Sequence, residues 1–117
     1  MTMTELKGML SDAQNRLINV CINKYGYWNA WAVHTVAAQK LQLVVKMSLA
    51  LAGQPSKSAS VTLVAASDLD AVPDEMDALG VVIEALRQAG LKPKKSMVWR
   101  ADPAGKGMWN IDVKISW

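Results

Sequence analysis

The sequence predicts an α+β fold: a mostly antiparallel four-stranded sheet with helices packed on one face, in the order α-α-β-β-α-β-β. Two patterns indicate this class. Apolar residues recur at three- and four-residue steps near the N-terminus and again before Gly90, which is typical of amphipathic helices. From Trp109 onward apolar and polar residues alternate strictly, which is typical of a strand with one buried face. The 117 residues are predicted to form a single domain, 1–117.

The first helix is predicted from Thr4 to Tyr25, with Gly26 as its C-terminal stop. Gly8 could interrupt this helix, because Ser11 and Gln14 form a capping box from which a fresh helix could begin. The first apolar stripe therefore predicts either one long helix or two short ones.

A second helix is predicted from Ala30 to about Gln39, with Asn29 as a candidate N-cap. Several aromatic residues lie between the two helices. They are predicted to pack in the core, with ligand stacking or partner docking as the alternative: Tyr25, Tyr27, Trp28 and Trp31.

Leu41 to Leu51 has an apolar residue at every odd position and predicts a long strand, with a continuation of the preceding helix as the alternative. Residues 53–60 have the composition of a loop. Val61–Ala66 is then predicted to be a second strand, paired antiparallel with the first.

The third helix is predicted to begin at Pro73, with acidic residues in its first turn, and to end at Gly90. A β-hairpin closes the chain, with strands at Met97–Arg100 and from Trp109 onward. The apolar row of the last strand is predicted to face the core: Trp109, Ile111, Val113, Ile115 and Trp117.

Charge is unevenly distributed, although the net charge is only +3. Six carboxylates and no basic residue lie between Asp68 and Glu84, and basic residues dominate after that. Five of these basic residues are candidate contacts for a partner or for nucleic acid: Lys92, Lys94, Lys95, Arg100 and Lys106. The alternative interpretation is that these charged residues lie on a solvated surface and interact favourably with the helix dipoles.

No catalytic, metal-binding or cofactor-binding residue is predicted. Cys21 is the only cysteine and His34 the only histidine, which excludes a disulfide and a cysteine zinc cluster within one chain. Polar residues interrupt the most apolar region, Ala30–Ala52, so no membrane span is expected. The N-terminus does not resemble a signal peptide. The expected location is the interior of a cell.

Two families resemble parts of the chain. The order of strand, acidic loop, helix and hairpin around Asp68–Asp77 resembles the RusA-type Holliday junction resolvases, which implies a Mg²⁺-dependent nuclease. The helix starts at Thr4–Lys7 and Asp70–Leu79, with the hairpin at Val98–Asp102 and Gly107–Ser116, resemble bacteriophage tail terminators of the lambda gpU type. That second resemblance implies non-enzymatic hexameric rings that cap the tail tube.

The resemblances and the charge pattern lead to three functional hypotheses. The first is a non-enzymatic phage virion assembly protein, a ring-forming tail terminator or head-tail connector that is a homo-oligomer. The second is a nucleic-acid-binding protein or RusA-like nuclease, and the third a small phage inhibitor of a host defence protein. All three place the chain in the bacterial host cytoplasm, and the first also places it in the virion.

Overall fold

The computed structural model describes every residue from Met1 to Trp117. It contains three helices and one three-stranded sheet. The elements are α1 (Met3–Tyr25), α2 (Tyr27–Ala52), β1 (Ser58–Ala66), a 3₁₀ turn (Leu69–Ala71), α3 (Pro73–Gln88), β2 (Lys94–Ala101) and β3 (Gly107–Ser116). The strand order is β1-β3-β2, and both pairings are antiparallel.

The prediction of a four-stranded sheet in the order α-α-β-β-α-β-β is wrong, because Leu41–Leu51 belongs to α2. The buried side chains there follow a helical step rather than a period of two: Ala37, Lys40, Leu41, Val44 and Ser48. The segment contains four leucines together with Gln42, Lys46 and Met47, which favour helices, and no turn former separates it from Gln39. Consequently β1 pairs with β3, and not with the segment before it.

Glycine, proline and capping residues in the sequence predicted most of the helix ends correctly. Gly26 ends α1 as predicted, with φ +80° and ψ 160°, a backbone conformation that favours glycine. Gly8 does not interrupt α1, whose N-cap is Thr2: its hydroxyl accepts a hydrogen bond from the Glu5 N–H at 3.1 Å. Since α2 begins directly at Tyr27, Asn29 is not its N-cap.

The three helices pack together, α2 and α3 contact β1, and the buried side chains of β3 share one core with the helices. One buried cluster joins the layers, with Leu10 and Leu17 from α1, Leu41 from α2, Leu86 from α3 and Ile111 from β3 among its members. The inward orientation predicted for the last strand is confirmed for Ile111, Val113 and Ile115. Trp109, at the other end of the same row, is exposed, and Trp117 is half-buried.

The helix layer does not extend over β2. This strand packs against β3, and all of its residues are exposed. β2 and the first residues of β3 therefore extend beyond the helices, with solvent on both faces.

Candidate functional site

The two edges of the sheet differ in how they are protected. The outer edge at β1 is interrupted by a β-bulge between Thr62 and Val64. At the bulge, the buried Lys40 ammonium donates a hydrogen bond to the Leu63 carbonyl oxygen and forms an ion pair with Glu75. A bulge and an inward-pointing charge are two devices by which proteins prevent an extra strand from pairing with an edge.

The edge at β2 has no bulge and no hydrogen bond from a helix side chain, although the strand carries Lys94, Lys95 and Arg100. At the end of the hairpin, the Asp102 N–H donates to the Lys106 carbonyl oxygen at 2.8 Å. Because hydrogen-bonded and non-hydrogen-bonded pairs alternate along an antiparallel ladder, the even-numbered residues of β2 bond to β3. The backbone groups of the odd-numbered residues therefore point away from the sheet: Lys95, Met97, Trp99 and Ala101.

The helix-facing side of the same hairpin carries an apolar surface, which we call the hairpin face: Met97, Trp99 and Trp109. Met97 is 59% exposed and Trp99 is 51% exposed. The two tryptophan rings pack edge-to-face, with centroids 5.1 Å apart. The Trp99 ring also covers Gly107, where any Cβ atom would overlap it. Contacts within the hairpin thus hold the tryptophans in place without burying them in the core.

A cavity of about 300 Å³ lies between the hairpin face and the turn that follows β1. Met97, Trp109 and Leu69 supply its apolar lining, and Asp68 and Asp70 supply carboxylates. The Asp68 side chain also accepts a hydrogen bond from the Asp70 N–H at 3.0 Å. The hairpin face is therefore bordered by acidic residues on this side.

The opposite side of the sheet is polar. Asp112 lies at its centre, where one carboxylate oxygen accepts from the Thr62 hydroxyl at 2.6 Å and the other from the Arg100 guanidinium at 2.9 Å. The hydrogen bond from Arg100, followed by that from Thr62, lowers the pKa of Asp112 below its ordinary value. Since Arg100 forms this ion pair within the chain, its charge is already partly neutralised.

The other predicted contact residues do not form one patch. Lys94 lies on the polar side, directly opposite Lys114 of β3, whereas Lys95 lies on the helix-facing side opposite Val113. Lys92 lies in the connection before β2, and Lys106 lies in the hairpin turn. Their role as contacts stays a prediction.

Lys95 has basic neighbours that the sequence did not indicate. A cavity of about 430 Å³ is lined by Lys24 from α1, Arg87 and Glu84 from α3, and Lys95 from β2. None of these four side chains forms an ion pair. Lys24 is more than 60 residues away in the sequence, so no local pattern could have placed it in this group.

The aromatic residues after Gly26 are largely exposed, so the prediction that they pack in the core is wrong for most of them. Trp28 is 88% exposed, and Tyr27 and Trp31 are about half exposed. The Tyr27 ring contacts Trp28 and Trp31 edge-to-face, at centroid distances of 5.4 and 6.0 Å. Only Tyr25 is half-buried against the core. These side chains form a second exposed aromatic surface, on the first turns of α2.

The carboxylates of the acidic segment Asp68–Glu84 do not gather around a common site. Glu75 pairs with Lys40, Asp68 forms a hydrogen bond within its own turn, and Asp74 lies in the first turn of α3. The structure contains no group of three or more His, Cys, Asp or Glu side chains arranged to hold a metal ion.

None of the three helices combines the length and the apolar character needed to cross a membrane. Comparison with known proteins found no matching family model, no matching curated protein and no matching solved structure. Functional inference for this chain therefore depends on its own geometry and on the motifs in its sequence.

Proposed function

We propose that this protein is a non-enzymatic assembly protein that acts by associating with other copies of itself through β2. The single observation that carries the proposal is the combination of an unpaired strand edge and an exposed apolar surface on one hairpin. Strand edges left open in this way pair readily with other chains, and large exposed apolar patches mark interaction sites.

The free energy expected from the apolar surface indicates that it would have to act together with the open strand edge. Burying the exposed parts of Trp99 (51%) and Trp109 (37%) would remove roughly 200 Å² of apolar surface from water, or about 5 kcal/mol before any cost of association. A micromolar complex needs about 8 kcal/mol after those costs, so the hairpin face alone is insufficient. Backbone hydrogen bonds along the β2 edge would supply both additional free energy and orientation.

The resemblance to phage tail terminators gives this association a biological setting. The hairpin on which that resemblance partly rests, Val98–Asp102 and Gly107–Ser116, is also the hairpin with the open edge. We therefore propose a role in building a phage particle, as a ring-forming tail terminator or a head-tail connector. Its location would be the host cytoplasm during assembly and the virion afterwards.

Sedimentation velocity of the purified protein over a range of concentrations and salt tests this proposal. We expect oligomers for the natural chain and a shift toward monomer for Trp99→Ser, since Trp99 lies on the proposed contact surface. Trp28→Ser is the matched control, because it removes an even more exposed tryptophan from the first turn of α2, outside the hairpin, and should leave association unchanged. A strict monomer under all conditions would contradict the proposal.

Nucleic-acid binding is a second candidate function, and the cavity lined by Lys24, Arg87 and Lys95 favours it. The three cations form no ion pair and outnumber the one carboxylate of the cavity, Glu84, which suits a phosphate backbone; binding of this kind weakens steeply with salt. Filter binding with single-stranded, duplex and branched DNA should then detect affinity at low salt that Lys95→Glu reduces. The absence of any binding at low salt would exclude this candidate, and cleavage that requires Mg²⁺ would instead point to a nuclease.

A further inference from the structure

We infer that two copies of this chain pair antiparallel through β2, in the register that places Val98 opposite the partner's Val98. The inference rests on the proposed function and specifies its contact. It predicts a continuous sheet in which the two β2 strands lie at the centre and all helices lie on one side.

The backbone pattern of the edge limits the registers. Lys95, Met97, Trp99 and Ala101 present their N–H and C=O groups to the edge, so each must meet another edge-facing residue. A two-fold axis perpendicular to the sheet satisfies this condition beside any residue, but it pairs three or more of these four residues with one another only beside residue 97, 98 or 99. With the axis at Val98, Met97 pairs with the partner's Trp99, and Lys95 pairs with the partner's Ala101.

Charge selects among these registers. With the axis at Val98, Lys94 lies directly opposite the partner's Asp102 on the polar side of the sheet, and the symmetry repeats this pair. With the axis at Met97, Lys94 would lie opposite the partner's Arg100, and like charges in that position are destabilising. With the axis at Trp99, Lys94 would lie opposite the partner's Ala104 and gain no charged partner.

Within one chain, neither Lys94 nor Asp102 forms an ion pair. Lys94 faces Lys114 across the ladder, and neither lysine forms an ion pair. Asp102 is exposed and has no ion-pair partner, and one of its oxygens accepts the Lys106 N–H at 2.8 Å. The carboxylate of the partner's Asp102 would lie beside the two lysines and offset their repulsion.

The hairpin faces also match in this register. Met97 would pack against the partner's Trp99 on the helix-facing side, and the symmetric pair would form next to it. Because the main packing partner of β2 is β3 and not a helix, the two helix layers would remain separated by the width of the paired strands. A ring assembled from such dimers would contain an even number of copies and would need a second contact surface.

Disulfide trapping tests the register directly. In the proposed dimer, Val98→Cys places two thiols in a non-hydrogen-bonded pair with Cα atoms about 4.5 Å apart, within the range for a disulfide. The natural Cys21 is buried, so the introduced thiol is the only accessible one. We expect mild oxidation to link Val98→Cys into dimers far more efficiently than Met97→Cys or Trp99→Cys, whose thiols would be diagonal to each other.

A charge exchange provides an independent measurement. Lys94→Glu should weaken dimerisation roughly tenfold, because two attractive pairs become repulsive. Lys92→Glu is the matched control, since it makes the same charge change outside the strand and should have a much smaller effect. The double variant Lys94→Glu/Asp102→Lys should recover most of the lost affinity. Asp102→Asn separates the charge effect from the turn, because asparagine still accepts the hydrogen bond from Lys106.

The outcomes distinguish this inference from the proposed function. A dimer in which Val98→Cys does not crosslink, or in which Met97→Cys or Trp99→Cys crosslinks better, would overturn the register but leave self-association intact. A chain that is monomeric at every concentration would overturn both. Preferential crosslinking at residue 98, together with recovery in the double variant, would support the pairing described here.

Discussion

Replacing Lys40 by methionine should destabilise the protein by about 1 to 3 kcal/mol, because it removes the side chain that donates a hydrogen bond to the Leu63 carbonyl oxygen at the bulge in β1. Lys40 is 7% exposed, and its ammonium donates to the Leu63 carbonyl oxygen and pairs with Glu75. Methionine retains an unbranched apolar chain of similar length. The substitution therefore removes the donor and the charge while filling much of the same space.

The magnitude depends on which partner is left without a hydrogen bond. The Glu75 side chain is 44% exposed, so its carboxylate can remain hydrated after Lys40 is removed. Leu63 is only 5% exposed, so its carbonyl oxygen would lose a donor in a place that water reaches poorly. The cost should therefore resemble that of one unsatisfied buried carbonyl, and not the cost of about 3 to 5 kcal/mol that an unpaired buried charge would have.

Urea unfolding followed by tryptophan fluorescence measures this loss, provided that the m-value stays unchanged. Lys46→Met on the same helix is the control, since Lys46 is exposed and its replacement should change the stability by less than about 0.5 kcal/mol. Glu75→Gln should cost at least as much as Lys40→Met, because it leaves the buried Lys40 ammonium without its counter-charge. A neutral or stabilising Lys40→Met would refute the reasoning, since it would mean that the Leu63 carbonyl does not depend on this donor.

Three further predictions concern the sheet and the helix termini. Val113→Asp should cost several kcal/mol because it places an unpaired charge in the core, whereas Lys114→Asp on the exposed side should cost well under about 1 kcal/mol; thermal midpoints compare the two variants. Gly26→Ala should cost about 1 to 3 kcal/mol, since φ +80° with ψ 160° is essentially restricted to glycine. Gly8→Ala within α1 should instead stabilise the protein by up to about 1 kcal/mol, so the two variants should shift the urea midpoint in opposite directions. The depressed pKa of Asp112 stabilises the fold above its unfolded-state pKa of about 3.9, and this contribution is lost as the pH falls through the lower folded-state pKa. Asp112→Asn should therefore show a weaker loss of stability below about pH 4 in acid titrations, and an unchanged pH profile would contradict the assignment.

The elements that could be predicted from the sequence are those with local determinants. Gly26, Pro73 and Gly90 act through their own backbone preferences, so they indicate helix ends wherever the rest of the chain lies. The terminal hairpin was predicted for the same reason, since turn formers separate its two strands. The structure extends both strands by a few residues, to Lys94–Ala101 and Gly107–Ser116.

The prediction of a strand at Leu41–Leu51 was wrong because the sequence there fits both the period of a strand and the period of a helix. Apolar residues at every odd position suggest a strand, but Val44 and Ala50 are apolar as well, so the alternation is incomplete. The buried series Ala37, Leu41, Val44 and Ser48 follows the helix period, and the exposed Leu43 and Met47 account for the excess of apolar residues. A segment with apolar residues on most sides does not by itself indicate which period the fold uses.

The candidate contact surface was partly predictable, and the reason lies in the row from Trp109 to Ile115. Alternation assigned these side chains correctly to one side of β3, but it carries no information on how far the helices extend over that side. Ile111, Val113 and Ile115 lie under the helices and are buried, whereas Trp109 lies beyond them and is exposed. The difference between core and contact surface along this one strand is therefore set by residues of α1, α2 and α3 that are distant in the sequence. The same holds for the two sheet edges, since Lys40 on α2 protects β1 and no residue of any helix performs that role for β2. Because β1 is blocked and β2 is open, pairing through a sheet edge would be confined to one strand, which suits the two-fold pairing proposed above.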